Sequence, residues 1–392
     1  MINKAHSIQL IPTKAQKLLL HKSFGIARHS FNWALDAWMK QYKRGKKPSA
    51  MSLIKLQNSI KKKAFPFYKE VSKTAPQYAI WNVETAYKKM WKEKSGYPKF
   101  KKKGTKDSFV AIENSKQFKQ QNKKIWIPRI GWVKCHEDLR FEGKINNVVV
   151  KRIADKYFAV VNLISNETPA VSENQAAVGV DLGINSLLVL SDGKTFENPK
   201  ALKSNLKSLN RLQRGLSRKR KGSNNKRKQK MKVAKKYYRI SNIRKNAIHQ
   251  ATSYLVNNYG KIVIEDLNEG MVKNRKLSQA LSDASFGEVS RQLAYKAAWN
   301  GVELVKADRF YASSKTCSNC GNKKETLKLS ERIYNCENCG IEIDRDLNAA
   351  KNLANYSPTQ KTCGSQACGD GSETLVQRTS MKQELLFNTI KL

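Results

Sequence analysis

Four cysteines near the end of the chain restrict its fold more than any other feature. Cys317 and Cys320, then Cys336 and Cys339, form a C-x2-C-x15-C-x2-C pattern. Each C-x-x-C turn can present two thiolates to one ion, and the spacing is that of a zinc ribbon. Gly321 and Gly340 follow the second cysteine of each pair and admit the tight backbone of a knuckle. Four sulfurs fill a tetrahedral ion, so such a zinc is structural and leaves no position for water. Seven cysteines in 392 residues fit metal binding in a reducing compartment rather than a disulfide framework. Cys135 is expected to be a packing residue, and Cys363 and Cys368 receive no role.

The charge balance names the partner class. Lys and Arg number 75 against 31 acids, a formal charge of +44. A chain so unbalanced repels itself unless a polyanion neutralises it. DNA and RNA are the natural candidates, because each neutralised phosphate releases counterions. A membrane partner is not expected. No apolar run reaches the roughly 18 residues of a spanning helix, and the N-terminus has no apolar core of signal-peptide type.

Along the chain, "HSIQLI" reads as a short strand stopped by Pro12. From Lys14 to about Lys43 the apolar residues fall at helical spacing, and further helical stretches cover 50–63 and a segment opened by Pro76. Short strands follow to about residue 165 ("SFVAI", "KIWIP", "NNVVVKRI", "YFAVVNLI"), suggesting a small β-barrel or sandwich that the strand near residue 8 could join. After a linker-like stretch at 166–175, apolar strands alternate with helices, which indicates an α/β sheet. Residues 200–239 hold 17 Lys or Arg and no acid, with Leu202, Leu206, Leu209, Leu212 and Leu216 on one helical stripe. That points to a phosphate-binding helix rather than a solvated face. Beyond Ser357 the composition suggests disorder.

Acids at the ends of apolar strands are informative, because an unpaired carboxylate there is costly. Asp181 ends "VGVDLG", Glu265 ends "KIVIE", and Asp346 starts the helix "LNAAKNLANY". Each has an ordinary explanation. Asp346 or Asp344 could be a helix cap, Asp181 could sit in a phosphate turn of an ATPase, and Glu265 could be exposed beside Asp266. Together they suggest a carboxylate cluster for hard divalent ions. Two Mg²⁺ ions about 3.5–4 Å apart activate water and stabilise the leaving oxygen of a phosphodiester.

These motifs, "GVDLG", "IVIEDLN", "SSKTCSNCG" to "CENCG" and "DRDLNAAKN", resemble those of the TnpB (OrfB) family of bacterial insertion sequences and its relatives, the type V CRISPR effector nucleases. "IQLIPTKAQKLLLHKSFGIARHSFNWAL", "YPKFKKKG" and "IPRIGWVKC" extend the resemblance over about residues 5–356. It implies an α+β multidomain protein. An RNase H-like (RuvC) α/β nuclease domain at 171–310 and 342–356 would carry an inserted zinc ribbon at 311–341. A helical recognition domain at 13–95 would be inserted in a β-barrel wedge domain at 1–12 and 96–170, with a disordered tail at 357–392. The implied activity is RNA-guided endonuclease cleavage of double-stranded target DNA, with a guide RNA from the transposon end and a short transposon-adjacent motif. Asp181, Glu265 and Asp346 would be the catalytic acids, with Asp344 a neighbour. Candidate nucleic-acid contacts are Gln77, Tyr78 and Asn82, the lysines at 99–106, and Arg211, Arg214, Arg218, Lys219 and Arg220. A monomer in the bacterial or archaeal cytoplasm is expected. The alternatives are a guide-RNA-dependent repressor that binds without cutting, or an accessory transposase.

Overall fold

The computed structural model describes residues 2–93, 95–166, 175–266, 278–308, 311–328 and 331–357. The linker-like stretch falls mostly, and the C-terminal tail almost wholly, outside them. The chain divides into two compact units, Met1–Thr168 and Pro169–Leu392.

The first unit begins with β1 (Ile2–Ile11) and three helices, α1 (Lys14–Lys43), α2 (Ala50–Ala64) and α3 (Thr74–Glu93). Thr13 starts α1 with a capping box: its hydroxyl accepts from the Gln16 amide at 3.3 Å, and the Gln16 side chain accepts from the Thr13 amide at 3.0 Å. The apolar stripe Leu20, Phe24, Ala27, Phe31, Ala34, Leu35 and Trp38 is buried, and Trp38 stacks on Tyr87 of α3 with ring centroids 5.0 Å apart. Pro76 lies in the first turn of α3, where a missing amide hydrogen costs nothing.

The strands β2 (Ser108–Ile112), β3 (Gln120–Gln121), β4 (Lys124–Ile127), β5 (Gly131–Cys135), β6 (Lys144–Ile153) and β7 (Lys156–Ser165) join β1 in one sheet of order β2-β6-β7-β1-β5-β4-β3. Every pairing is antiparallel. No pairing joins β2 to β3 among the described residues, so of the small barrel or sandwich expected the structure shows a seven-stranded sheet without that closing pair. A two-residue β3 offers too little ladder to seal a barrel. β1 also begins earlier than "HSIQLI" suggests. Its inward positions include Lys4 and His6, both buried, and polar residues there conceal the alternation.

The second unit is built on β8 (Ala177–Leu182), β9 (Ser186–Leu190), β10 (Thr195–Glu197), β11 (Lys261–Glu265) and β12 (Glu303–Ala307), in the order β10-β9-β8-β11-β12. β8, β11 and β12 are parallel, and β9 runs antiparallel to both neighbours. Between β10 and β11 come α4 (Ala201–Ser217) and α5 (Asn224–Asn258); α6 (Ser278–Ala284) and α7 (Phe286–Asn300) precede β12. The basic run at 200–239 therefore spans a helical hairpin, closed by Leu209, Val233 and Ile240. The short hairpin β13 (Ile333–Asn335) and β14 (Glu342–Asp344) leads into α8 (Arg345–Ala354).

The two faces of the five-stranded sheet differ. Val178, Val180, Leu182, Ile262 and Ile264 pack with Ile248, Leu255, Val289 and Leu293 of α5 and α7. The opposite face carries Val263, which packs with Leu353 of α8. By the two-residue period of a strand, Gly179 and Asp181 share that α8 face.

Candidate functional site

Asp181 and Glu265 stand at the same end of adjacent parallel strands. Val180 pairs with Ile264, so the next residue on each strand is an acid, and both acids lie on the α8 face. The third acid arrives from above. Two residues along β8, from Gly179 to Asp181, advance about 6.6 Å. One turn back along α8, from Ala350 to Asp346, covers about 6 Å. Because Ala350 sits against Gly179, these matched steps bring Asp346 toward Asp181.

The electrostatics record that convergence. The Asp181 carboxyl is pushed up to about 8, first by burial and then by the charges of Glu265 and Asp346; Arg345 opposes the shift and Asp344 adds to it. Asp346 is held by Arg345 at 3.5 Å and Arg332 at 3.9 Å. Glu265 accepts a hydrogen bond from the Ser313 hydroxyl. The three carboxylates do not gather as closely as the cysteines: among the described residues, only Cys317, Cys320, Cys336 and Cys339 bring their ligand atoms within 4.8 Å of one another. The structure also separates the roles of the two aspartates at α8. Asp344 is the N-cap, accepting from the Asp346 amide at 2.9 Å and the Leu347 amide at 3.0 Å. Asp346 is thereby free of capping, and its charge is felt at Asp181.

The cysteine cluster has the shape of a tetrahedral site. The sulfurs of Cys317 and Cys339, and of Cys320 and Cys336, are 3.6 Å apart. Zinc–sulfur bonds of about 2.3 Å imply a tetrahedral edge of about 3.8 Å, so the sulfurs fit such an ion with little movement. Each knuckle closes with a glycine amide on a cysteine carbonyl, Gly321 to Cys317 at 3.0 Å and Gly340 to Cys336 at 2.9 Å. Both glycines adopt positive φ, +76° and +70°. The Asn338 side-chain amide reaches the Cys320 sulfur at 3.5 Å and, with the Asn322 backbone, holds that thiol down to about 6.

Two buried asparagines tie this cluster to α8. Asn348 donates to the Thr316 carbonyl at 2.7 Å and accepts from the Ser318 amide at 2.9 Å. Asn352, one turn on, donates to the Ser313 carbonyl at 2.7 Å and the Thr316 carbonyl at 2.6 Å. Ser313 opens "SSKTCSNCG", and Asn348 and Asn352 lie in "DRDLNAAKN", yet those motifs alone give the three no role, since polar residues ordinarily read as surface.

The other candidates are distributed as follows. Arg211, Arg214, Arg218, Lys219 and Arg220 are all exposed on α4 and the turn after it. That hairpin is held firmly. Buried Asp283 accepts from the Leu202 and Lys203 amides at the start of α4 and pairs with Arg244 at 2.8 Å. In the first unit, Gln77 and Tyr78 line a cavity of about 430 Å³ with Met51, Ile54, Trp81 and Glu113, while Asn82 is exposed and outside its lining. Of the lysines at 99–106, Lys101 lies over the Phe31 ring at 4.0 Å, and burial lowers it to about 8. It is a packed residue more than a free phosphate ligand; Lys99, Lys102, Lys103 and Lys106 are exposed.

Comparisons with known proteins agree with this layout. The OrfB_IS605 family model, described as "Probable transposase", matches residues 159–276, and the Cas12f1-like TNB domain matches 286–353, which includes α7, the cysteine cluster and most of α8. A model described as a helix-turn-helix domain matches 1–47, where this chain has a strand and one uninterrupted helix. A Streptomyces pristinaespiralis protein provisionally named an RNA-guided DNA endonuclease is 33% identical over 98% of this chain and 96% of its own length. Escherichia coli (strain K12) InsQ, provisionally named likewise, is 30% identical over 92% of this chain and 94% of its own. The solved Cas12f1–sgRNA–target DNA complex shares the fold, with a TM-score of 0.55 at 16% identity over 87% of this chain and 82% of that one. No helix among the described residues is long and apolar enough to cross a membrane. Similar along nearly its whole length to proteins of one kind, the chain belongs to the TnpB (OrfB) family of RNA-guided DNA endonucleases.

Proposed function

We propose that this protein is the RNA-guided DNA endonuclease of a transposable element, cutting target DNA by Mg²⁺-dependent phosphodiester hydrolysis at Asp181, Glu265 and Asp346. The observation that carries the proposal is that these acids, from β8, β11 and the first turn of α8, lie near enough at one end of the sheet for the charges of Glu265 and Asp346 to raise the Asp181 carboxyl. The strand order β10-β9-β8-β11-β12, with β9 alone antiparallel to the rest, supports an RNase H-like reading of this unit.

The chain's own residues have distinct tasks in this scheme. The acids hold two Mg²⁺ ions, which when bound supply an activated water and stabilise the leaving oxygen. Carboxylate oxygens suit this ion, which retains open positions for substrate phosphate. Arg332 and Arg345 restrain Asp346 without neutralising all three acids. The cysteine cluster holds one structural zinc. The exposed cations of the α4–α5 hairpin bind the backbone of the guide RNA or its heteroduplex with DNA, since a guided nuclease leaves sequence reading largely to base pairing. Gln77 and Tyr78, beside an open cavity, are the proposed readers of a short motif on duplex DNA.

Sequencing the RNA that accompanies protein purified from cells carrying its native locus tests the partner. A discrete RNA ending at the element boundary is expected; random fragments would count against a guide. In the second arm the purified complex is offered matched DNA and Mg²⁺. Tight binding without any cut would leave a repressor in place of a nuclease.

A stability measurement tests the cation site separately. The folded protein keeps a proton on Asp181 that an aspartate of ordinary value, 3.8, would release. The contribution of Asp181 is therefore fully present below about pH 4 and is lost as pH rises to about 8. Without divalent cation, the thermal midpoint should fall across that window, less steeply in Asp181→Asn. Mg²⁺ should raise the midpoint more at pH 8 than at pH 5. Equal Mg²⁺ shifts at both pH values would contradict this account.

A further inference from the structure

We propose that Ser313 is a positioning residue for Glu265, and that Asn348 and Asn352 place it by strapping residues 312–318 to α8. The inference rests on the cation site proposed above and deepens it. Ser313 is buried, 2% exposed, and its hydroxyl donates to Glu265. Glu265 itself is only partly buried, so water could satisfy its carboxylate. The consequence of the serine bond is therefore orientation: it selects one rotamer of a side chain with three rotatable bonds.

The serine is held from both directions. Its carbonyl accepts from Asn352, and the Thr316 carbonyl accepts from both Asn348 and Asn352. Ser318 donates back to Asn348 at 2.9 Å. Cys317, between Thr316 and Ser318, is a sulfur of the cysteine cluster. Tyr311 extends the strap at its other end, its hydroxyl donating to the Asn352 carbonyl at 3.0 Å. An apolar pair at positions 348 and 352 would bury α8 equally well but would specify nothing about the strap. Amides aimed at particular carbonyls fix its place along the helix. The helix that delivers Asp346 is in this way joined, through the strap, to the strand that delivers Glu265. The cysteine cluster anchors the strap, so the sulfur site sets the geometry of the oxygen site.

The test uses the full chain with its RNA, and Mn²⁺ as the cation probe. Cation binding is followed by the shift in thermal midpoint, with bound zinc measured on the same samples. Ser313→Ala should raise the half-saturating Mn²⁺ concentration by about 10-fold, the scale of lost support around a metal ligand. The cation-free midpoint and zinc content should be unchanged. Ser313→Thr, which keeps the hydroxyl, should restore binding to near the wild-type value. Asn352→Ala, which releases the strap from the helix side, should weaken Mn²⁺ binding likewise with zinc retained. In cleavage, Ser313→Ala should shift the Mn²⁺ requirement while leaving most of the rate at saturating Mn²⁺. Wild-type Mn²⁺ binding in Ser313→Ala, or a threonine variant no better than alanine, would overturn the proposal. So would a lowered cation-free midpoint with unchanged Mn²⁺ affinity, which makes Ser313 a packing residue. If Ser313→Ala does not fold, the threonine and Asn352→Ala results decide on the same criteria. A wild-type complex that binds Mn²⁺ through Asp181 yet cuts nothing would refute the nuclease reading alone, because binding is scored without cleavage.

Discussion

Asp181→Ala should abolish DNA cleavage, by at least about four orders of magnitude, while the protein still holds its RNA. Asp181 is the central acid of the site: Glu265 flanks it on the neighbouring strand, and Asp346 reaches it from α8. Removing it takes away the carboxylate best placed to share a cation with each of the others. The loss should be catalytic and not structural, because the folded protein gains little from the charge. Burial and two like charges push that carboxyl up to about 8, which makes its ionised form a burden in the absence of cation. Asp181→Asn should therefore be inactive and, without Mg²⁺ at pH 8, melt above the wild type. Cleavage assays with matched DNA, RNA-binding assays and thermal unfolding check the three parts. An Asp181→Ala protein that lost RNA binding or failed to fold would show that the side chain supports the sheet instead.

What could be read in advance depended on how local each signal was. The helix from Lys14 to about Lys43 is α1 with its stated ends, because its apolar stripe and the Thr13 cap are contained in the segment itself. The cysteine spacing anticipated a site that brings four sulfurs together, since two short turns determine most of it. The acids were visible as costly residues at strand ends. Which aspartate caps α8 was not, because Asp344 and Asp346 are both plausible caps until the backbone direction is known. The basic run read as a helix at its start, yet its continuation as a hairpin depends on the turn before Ser223 and on Asp283, eighty residues beyond the backbone amide of Lys203 that it caps. Whether the strands of the first unit form a barrel or a sandwich is illegible for a similar reason: closure is a property of distant strand edges. Ser313, Asn348 and Asn352 are polar residues in buried places, and their partners lie in another element.

Gly179→Ala is expected to be the most damaging glycine-to-alanine change among the described residues of the second unit. A Cβ at this position would stand 2.0 Å from the Ala350 carbonyl oxygen, 2.3 Å from the Ala354 amide nitrogen and 2.9 Å from the Leu353 carbonyl carbon. All three are backbone atoms, so no side chain can swing away. The strand cannot easily yield, since Gly179 exchanges hydrogen bonds with Ser191, whose amide donates to its carbonyl at 3.0 Å and whose hydroxyl accepts from its amide at 3.2 Å. α8 must therefore lift. Overpacking typically costs 1–3 kcal/mol, and a clash between two main chains belongs at about the upper end, roughly 3 kcal/mol. For a domain of 150–250 residues that lowers the thermal midpoint by roughly 6–12 °C. The functional loss should exceed what stability alone explains. Asp346 rides on the displaced helix, and a misplacement of about 1 Å can cost about 100-fold in rate. Gly287→Ala is the matched control: it lies in α7 with nothing within 4 Å of a new Cβ, and a helical alanine there should change stability by no more than about 1 kcal/mol, upward if at all. Thermal unfolding and cleavage rates of the two variants, measured side by side at a temperature where both are folded, separate a general intolerance of alanine from this particular contact. If Gly179→Ala melts and cuts like the control, α8 does not seat on β8 as described, and the route by which Asp346 reaches Asp181 falls with it.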